Sequence, residues 1–243
     1  MRVCVYTAIF GGYDRLVRPA AQSVPTDFVC FTDAAIPGRH PLWRVVRDPR
    51  LPDLHPRMRA KWFKTHPHVL FPDGRPLRRG FFGSVLRRDA PAYDYTIWID
   101  GNIVPKSQHF VRDMIASVGA TGLALFSHPD RDCIYAEAAE SVRWAKYRDL
   151  PILAQVESYR REGYPEHNGL MAGGIIVRHR ATSELAAIDE AWWQENLCWT
   201  YQDQLSLPVV LWRQGRTSDR INGHLWFNDW YDRPPHLLEE GPI

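Results

Sequence analysis

The sequence predicts an α/β protein whose helices flank a mainly parallel central sheet. Short apolar runs such as VCVYTAIF near the N-terminus are typical of strands buried on both faces. These runs alternate with longer stretches in which apolar residues recur at helical spacing. Glycines and polar residues end the runs, as the pair Gly11-Gly12 does after the first one. Strands that alternate with helices indicate a layered α/β domain.

The individual elements follow from the same patterns, in chain order. Strands are predicted at residues 3–10, 28–31, 42–46, 95–99 and 123–126, and in the later part of 169–177. Helices are predicted at residues 58–66, 110–118, 134–147, 152–161, 183–193 and 202–212. Pro208 is expected to kink or delay the last helix, because proline removes a backbone donor.

Length and composition predict one domain over residues 1–243. The chain is 45% hydrophobic and 24% charged, which is sufficient for a substantial core. A basic excursion rich in Pro and Arg covers about 37–90, with an insertion at 74–88, and a C-terminal tail covers about 214–243. No apolar run approaches the roughly 20 residues of a membrane span. We therefore expect no transmembrane segment and a cytoplasmic location, with peripheral attachment to the inner face of the membrane as the alternative.

The charge distribution raises the question of an anionic partner. Between Arg39 and Arg88 there are thirteen Lys or Arg residues and three Asp residues, although the formal net charge is only +2. The segment could face an anion or could be a solvated basic loop. Because no nucleic-acid-binding motif accompanies it, we expect no nucleic-acid partner.

The four cysteines lack the spacing of a zinc site and predict buried, reduced thiols. A disulfide between Cys4 and Cys30 is the alternative if their strands are neighbours. The ten tryptophans offer rings on which sugars stack, with core packing as the alternative for each ring.

Polar groups follow three predicted strands. They lie at residues 7–13, at Thr32-Asp33 and at Asp100-Gly101-Asn102. In open α/β sheets, ligands bind outside the carboxyl ends of the strands, so these groups are expected to converge. Asp100 and Asn102 could bind Mg²⁺ or Mn²⁺, which prefer carboxylate and amide oxygens. A simple D-G-N turn is the alternative reading.

Several other residues could contribute chemistry. Arg57, Lys61 and Lys64 fall near one helical face and could clamp phosphates, or could be solvated. His224 is the candidate to complete a metal shell with Asp100. Asp203 and Gln204 could meet an acceptor or transfer protons, although Asp203 could instead stabilise a helix N-terminus. Motifs of P-loop proteins, zinc proteases, α/β-hydrolases and dinucleotide-binding proteins are absent from the sequence.

A set of ordered blocks resembles a known family. The blocks are YTAIFGGYD, FVCFTD, R-x-R-x-K (57–61), IWIDGNI, HPDRDCIYAEA, EGYP, GLMAGGIIVR and DQLS, from about residue 3 to 212. Together they resemble a glycosyltransferase-like family, formerly a domain of unknown function, of plant cell-wall and mucilage proteins and bacterial polysaccharide loci. The chain departs from the family at Gln202, where an Arg is usual, at Pro208 and at the insertion.

The resemblance implies a GT-A type, Rossmann-like domain that uses a divalent metal and a sugar nucleotide. It implies that the nucleoside, the diphosphate and the donor sugar each have a residue group. These are Thr7, Ala8, Phe10, Tyr13 and Asp33 for the nucleoside; Arg57, Arg59 and Lys61 for the diphosphate; and Gly173, Gly174, Asp203 and Gln204 for the donor sugar and acceptor. Asp100 and Asn102 would bind the metal and the ribose or phosphate.

The sequence therefore predicts a metal-dependent glycosyltransferase that moves a sugar from a nucleotide-diphosphate donor to a glycan or lipid-linked acceptor. Asp203 and Asp100 are the predicted catalytic residues. A non-catalytic nucleotide- or glycan-binding module of the same fold is the first alternative, and a nucleic-acid-binding protein is the second.

Overall fold

A computed structural model describes residues 1–71 and 92–238, and a seven-stranded sheet forms its centre. The sheet order is β3-β2-β1-β4-β7-β6-β8. Its strands are β1 Val3–Ile9, β2 Thr26–Thr32, β3 Trp43–Arg47, β4 Tyr95–Ile99, β6 Leu123–Ser127, β7 Met171–His179 and β8 Asp219–Arg220. A separate antiparallel ribbon pairs β5 Val104–Pro105 with β9 Tyr231–Asp232. The predicted insertion at 74–88 lies outside the described residues.

The sheet is mainly parallel, as the sequence predicts. Strand β1 pairs in parallel with β2 and β4, β2 does so with β3, and β6 does so with β8. Strand β7 runs antiparallel to both of its neighbours, β4 and β6. The carboxyl ends of β1, β2 and β4 therefore meet at one edge, which confirms the expected α/β, Rossmann-like class.

Seven helices are found in the part of the chain that the structure describes. They are α1 Pro56–Thr65, α2 Pro67–Leu70, α3 Phe110–Ala116, α4 Ile134–Ser141, α5 Ile152–Arg161, α6 Ser183–Cys198 and α7 Asp203–Arg213. The helix predicted at 134–147 was too long, because α4 ends at Ser141 and a 3-10 turn at Ala145–Tyr147 follows.

Helix α7 extends across Pro208 without ending there. The proline removes one backbone hydrogen bond, which normally disfavours a helix interior. However, Leu207, Pro208 and Val209 are all buried. Packing of this segment against the core outweighs the lost hydrogen bond, and sequence pattern alone does not reveal that balance.

Both faces of the sheet are covered, because alternate residues of β1 enter different clusters. Val3, Val5 and Ile9 pack in the cluster that contains Phe110 and Met114 of α3. Cys4, Tyr6 and Ala8 pack in the cluster that contains Phe63 of α1 and Trp192 of α6. Burial on both faces explains why the strand is largely apolar, with Thr7 as its buried polar residue. One sheet thus joins elements from residue 3 to residue 220, while a single domain over 1–243 stays a prediction.

The four cysteines are free, and their placement corrects one expectation. Cys4, Cys30 and Cys133 are buried, whereas Cys198 is exposed. Strands β1 and β2 are neighbours, but Cys4 is opposite Asp27 and Cys30 is opposite Thr7, so the two thiols are not paired. No helix within the described ranges is long and apolar enough to cross a membrane.

Candidate functional site

A cavity of about 250 Å³ opens where β1 and β4 end, between α1, the start of α7 and the C-terminal loops. Most of the predicted site residues line it. These are Ala8, Phe10, Tyr13, Arg57, Lys61, Asp100, Gly173, Gly174, Asp203 and Gln204. Five predicted residues are not among its lining, namely Thr7, Asp33, Arg59, Asn102 and His224.

Asp203, the first residue of α7, contacts two lysines of α1. Its Oδ2 lies 2.9 Å from the Nζ of Lys61, and the ammonium of Lys64 contacts the same oxygen. Lys64 Nζ is also 3.7 Å from Asp100 Oδ1 and is almost fully buried. Burial acts to raise the pKa of Asp203, but the two ammonium groups lower that pKa to about 2. Asp203 is therefore a permanently charged group and a weak proton acceptor.

Two glycines of β7 allow this cluster to pack. A Cβ at Gly173 would lie 2.8 Å from Lys64 Nζ, and one at Gly174 would lie 3.4 Å from Asp100 Oδ2. Strand β7 can therefore pass close to the charged groups only where side chains are absent.

Asp100 is held in a turn directly after β4. Its Oδ1 accepts a hydrogen bond from Trp98 Nε1 at 2.9 Å, and its main-chain carbonyl accepts one from Ile103 N at 2.9 Å. A Cβ at Gly101 would lie 2.4 Å from Asp14 Oδ2, so this glycine lets Asp14 lie against the turn. The D-G-N segment is thus both a turn and a wall of the cavity.

The other two predicted metal ligands lie away from the cavity wall. Asn102 is buried, and its Nδ2 donates to the carbonyl of Pro234 at 3.1 Å, while its Oδ1 has no partner among the described residues. The ring of His224 is exposed, and its Nδ1 accepts hydrogen bonds from the main-chain N–H groups of Trp226 and Phe227. His224 therefore caps its own turn.

His236, which the sequence analysis did not single out, lines the cavity instead. Its Nδ1 lies 2.6 Å from Oδ1 of Asp14, the residue that packs against Gly101. Across residues 1–71 and 92–238, no three His, Cys, Asp or Glu side chains are grouped as a metal site. Mg²⁺ commonly binds through one or two carboxylates together with substrate phosphates, and Asp100 fits that limited role.

An ion pair between Arg59 and Asp33 connects helix α1 to the loops next to the cavity. Arg59 Nη1 lies 3.0 Å from Asp33 Oδ2, and Arg59 Nη2 donates to the carbonyl of Asp48. The main-chain N–H of Gly11 donates to the same Asp33 oxygen at 3.3 Å. This pair fixes the loop after β1 relative to α1. Thr7 is buried within β1, and its hydroxyl has no partner in the described part of the chain.

Later segments supply lining residues that the sequence analysis missed. Besides His236, they include Lys146, Tyr147, Tyr201, Trp226 and Arg233. Burial lowers the pKa of Lys146 to about 8, and repulsion from Arg57, Lys61 and Arg233 adds to that effect. The sequence carried little signal for Lys146, because the helical periodicity continued through the turn that presents it.

The cationic cavity lies at the carboxyl ends of the parallel strands of a Rossmann-like sheet. This is where α/β proteins with such sheets bind their ligands. Residues 83–229 match the family described as TOD1/MUCI70, glycosyltransferase-like domain, and the chain belongs to this family. The match confirms the resemblance for the blocks from IWIDGNI to DQLS, whereas the three blocks before residue 83 lie outside the matched range. A search among curated proteins finds no significant match.

Proposed function

We propose that the chain transfers a sugar from a nucleotide-diphosphate donor to a glycan or lipid-linked acceptor. The observation that best supports this proposal is the charge of the cavity. Five cationic side chains, Arg57, Lys61, Lys64, Lys146 and Arg233, share its wall with three carboxylates, Asp14, Asp100 and Asp203. Such an excess of positive charge suits a ligand that carries a diphosphate.

The loop after β1 is the proposed nucleoside site. Ala8, Phe10 and Tyr13 line the cavity there, and the Arg59–Asp33 pair holds the loop from behind. In this proposal Asp33 and Arg59 support donor binding by positioning the loop, and they do not contact the donor themselves. Arg57 packs over the Tyr13 ring at 4.6 Å, which places a guanidinium beside the nucleoside site.

A divalent metal, Mn²⁺ or Mg²⁺, belongs to this proposal as a partner of Asp100. When bound, it would neutralise charge on the leaving diphosphate. Asp100 is the carboxylate that the turn after β4 contributes, and His236 is one of the histidines that line the same cavity. Asn102 and His224 would need to leave their present hydrogen bonds to join the metal shell, so their ligand roles stay predictions.

Asp203 is proposed to act beside the donor sugar. Since its pKa is about 2, it serves better as a fixed negative charge than as a general base. Glycosyl transfer develops positive charge on the sugar ring, and a nearby carboxylate stabilises that charge. Lys61 and Lys64 hold the carboxylate in place.

The acceptor is proposed to enter over the C-terminal loops. Trp226 lines the cavity and is 43% exposed, and Arg233 packs over its ring at 4.2 Å. An exposed ring at the mouth of the cavity is suited to stacking against a sugar of the acceptor.

A non-catalytic binding module is the competing function, and the position of Asn102 favours it. With the Asn102 side chain hydrogen-bonded to Pro234, Asp100 is the one side chain of the D-G-N segment that lines the cavity. A module of this kind would bind a nucleotide diphosphate without turnover.

Turnover separates the two functions. The protein is incubated with a panel of sugar nucleotides and Mn²⁺, and donor hydrolysis is measured together with transfer to added glycans. We expect hydrolysis by the wild type and its loss in Asp100→Ala, with the exposed Asp53→Ala as the matched control. Unchanged hydrolysis in Asp100→Ala would contradict the assigned role of Asp100, and binding without hydrolysis would support the module.

A further inference from the structure

We propose that Lys146 is the side chain that binds the diphosphate of the donor, together with Arg57. This inference rests on the proposed function, because it names the cation that meets the donor in that same cavity. The family resemblance implies that Arg57, Arg59 and Lys61 bind the diphosphate, whereas the carboxylate partners of Arg59 and Lys61 lead to a different set.

Lys146 lies in a turn whose backbone is held in place by hydrogen bonds. The 3-10 turn Ala145–Tyr147 is held at two points by the segment before α7. Tyr201 donates its hydroxyl to the carbonyl of Lys146 at 2.5 Å, and Tyr147 donates its hydroxyl to Gln202 Oε1 at 3.0 Å. The ammonium of Lys146 lies 4.8 Å from the centre of the Tyr147 ring. The backbone of this turn is therefore fixed relative to Asp203.

Three other candidate cations already have carboxylate partners. Lys61 and Lys64 share Asp203, and Arg59 pairs with Asp33. By contrast, Lys146 and Arg57 have no carboxylate within ion-pair distance in the part of the chain that the structure describes. An unneutralised cation in a cavity gains more from an incoming anion than one that must first give up a carboxylate.

Arg57 lies between the proposed nucleoside loop and the turn that carries Lys146. Its guanidinium lies 4.6 Å from the ring centre of Tyr13, in the proposed nucleoside loop, and 5.8 Å from that of Tyr201. The hydroxyl of Tyr201 also donates to the carbonyl of Lys146 and so holds the turn that carries this lysine. A phosphate chain that leaves the nucleoside loop would thus meet Arg57 first and Lys146 next.

The charge state of Lys146 agrees with this arrangement. Burial lowers its pKa to about 8, and the cations Arg57, Lys61 and Arg233 contribute. Bound diphosphate would relieve that repulsion and return the ammonium toward its ordinary pKa. The same effect makes the binding of a dianion more favourable than the binding of a neutral sugar.

The test compares ligands that share parts of a nucleotide. Isothermal titration calorimetry measures the affinity of the full chain for UDP, GDP, ADP and CDP, and then for the matching nucleoside and for inorganic pyrophosphate. The variants are Lys146→Met and Lys146→Arg, with Lys106→Met as the control. Lys106 pairs with Asp232 at 2.9 Å and is not part of the cavity lining.

We expect Lys146→Met to weaken binding of the preferred nucleoside diphosphate and of pyrophosphate by about 10- to 100-fold, the range for a hydrogen bond to a charged group. Nucleoside affinity should stay unchanged, which also shows that the variant is folded, and Lys146→Arg should restore most of the loss. Equal diphosphate affinity in wild type and Lys146→Met would overturn this inference and leave the proposed function standing. If the wild type binds no nucleotide at all, the proposed function fails and the inference fails with it.

Discussion

The Nζ of Lys61 lies 2.9 Å from Oδ2 of Asp203, on an oxygen that Lys64 also contacts. Asp203→Asn leaves two ammonium groups without their carboxylate in a largely buried place. Breaking a buried pair from one side destabilises proteins by about 3–5 kcal/mol, and we expect a loss at the lower end because Lys61 is 20% exposed. Urea unfolding at pH 7 measures it, with Asp53→Asn as the exposed control.

The same carboxylate should contribute to acid unfolding. Since the pKa of Asp203 is about 2 in the folded chain and ordinary in the unfolded chain, its stabilisation is present above about pH 4. It is lost as the pH falls toward 2. The free energy of unfolding should therefore fall less steeply between pH 4 and 2 in Asp203→Asn than in the wild type. Equal slopes would contradict the pairing.

A second prediction concerns Gly173. Its substitution by alanine places a Cβ 2.8 Å from the present position of Lys64 Nζ, so the ammonium must move. We expect donor hydrolysis to fall by more than tenfold, because even a small displacement of a positioned group in an active site is costly. In a double-mutant cycle with Lys64→Ala, the two effects should be strongly non-additive. Simple additivity would show that Gly173 acts through another contact.

The third prediction is a pH dependence of donor binding. Lys146 has a pKa of about 8 in the free protein, and a bound diphosphate would raise that pKa. Affinity for the diphosphate should therefore be greatest below pH 8 and fall as the pH rises toward 9.5. The groups that shift the Lys146 pKa are Arg57, Lys61, Arg233 and Asp100. Arginine stays charged throughout this range, so the pH dependence should be smaller in Lys146→Arg.

The fourth prediction tests the acceptor side. Trp226→Ala removes the exposed ring at the cavity mouth, so the KM for an acceptor glycan should rise. Aromatic packing contributes about 0.5–1.5 kcal/mol, which corresponds to about a 3- to 10-fold change. Donor hydrolysis without acceptor should be unaffected. Phe227→Ala is the matched control, since that ring is 81% exposed and is not among the cavity lining residues.

Sequence pattern was sufficient where local chemistry determines structure. The run at 95–99 is β4 in the structure, and the polar residues after it do form the turn that brings Asp100 to the cavity. The sheet is mainly parallel as predicted, although loops without a helix join β1 to β2 and β2 to β3 within the described residues. Gly173 and Gly174 line the same cavity, where a Cβ would lie close to Lys64 and Asp100, while their role beside a donor sugar stays a prediction.

The positions of Asn102 and Lys146 could not be predicted from the sequence pattern, because long-range contacts determine them. The side chain of Asn102 is fixed by the carbonyl of Pro234, far along the chain. The turn that presents Lys146 depends on Tyr201 and Gln202. Neither partner can be recognised from local periodicity, which for Lys146 pointed to a continuous helix.

The last prediction concerns the buried pair of Arg178 and Asp189, whose atoms Nη2 and Oδ1 lie 2.5 Å apart. The same Nη2 donates to the carbonyl of Lys64 at 3.2 Å, so the pair also anchors the end of α1 that carries the cavity lysines. Arg178→Met should destabilise the chain by about 3–5 kcal/mol at pH 8, because a carboxylate remains buried without its partner.

The pH dependence of that loss follows from the sign of the shift. Burial raises the pKa of Asp189 to about 6 even with Arg178 present, and removal of the guanidinium raises it further. A carboxyl whose folded pKa is raised stabilises the fold below its unfolded pKa, and that contribution is lost as the pH rises through the folded pKa. The loss in Arg178→Met should therefore be smaller at pH 5 than at pH 8. Urea unfolding at both pH values measures it, with the exposed Arg180→Met as control; equal losses at the two pH values would refute the buried pairing.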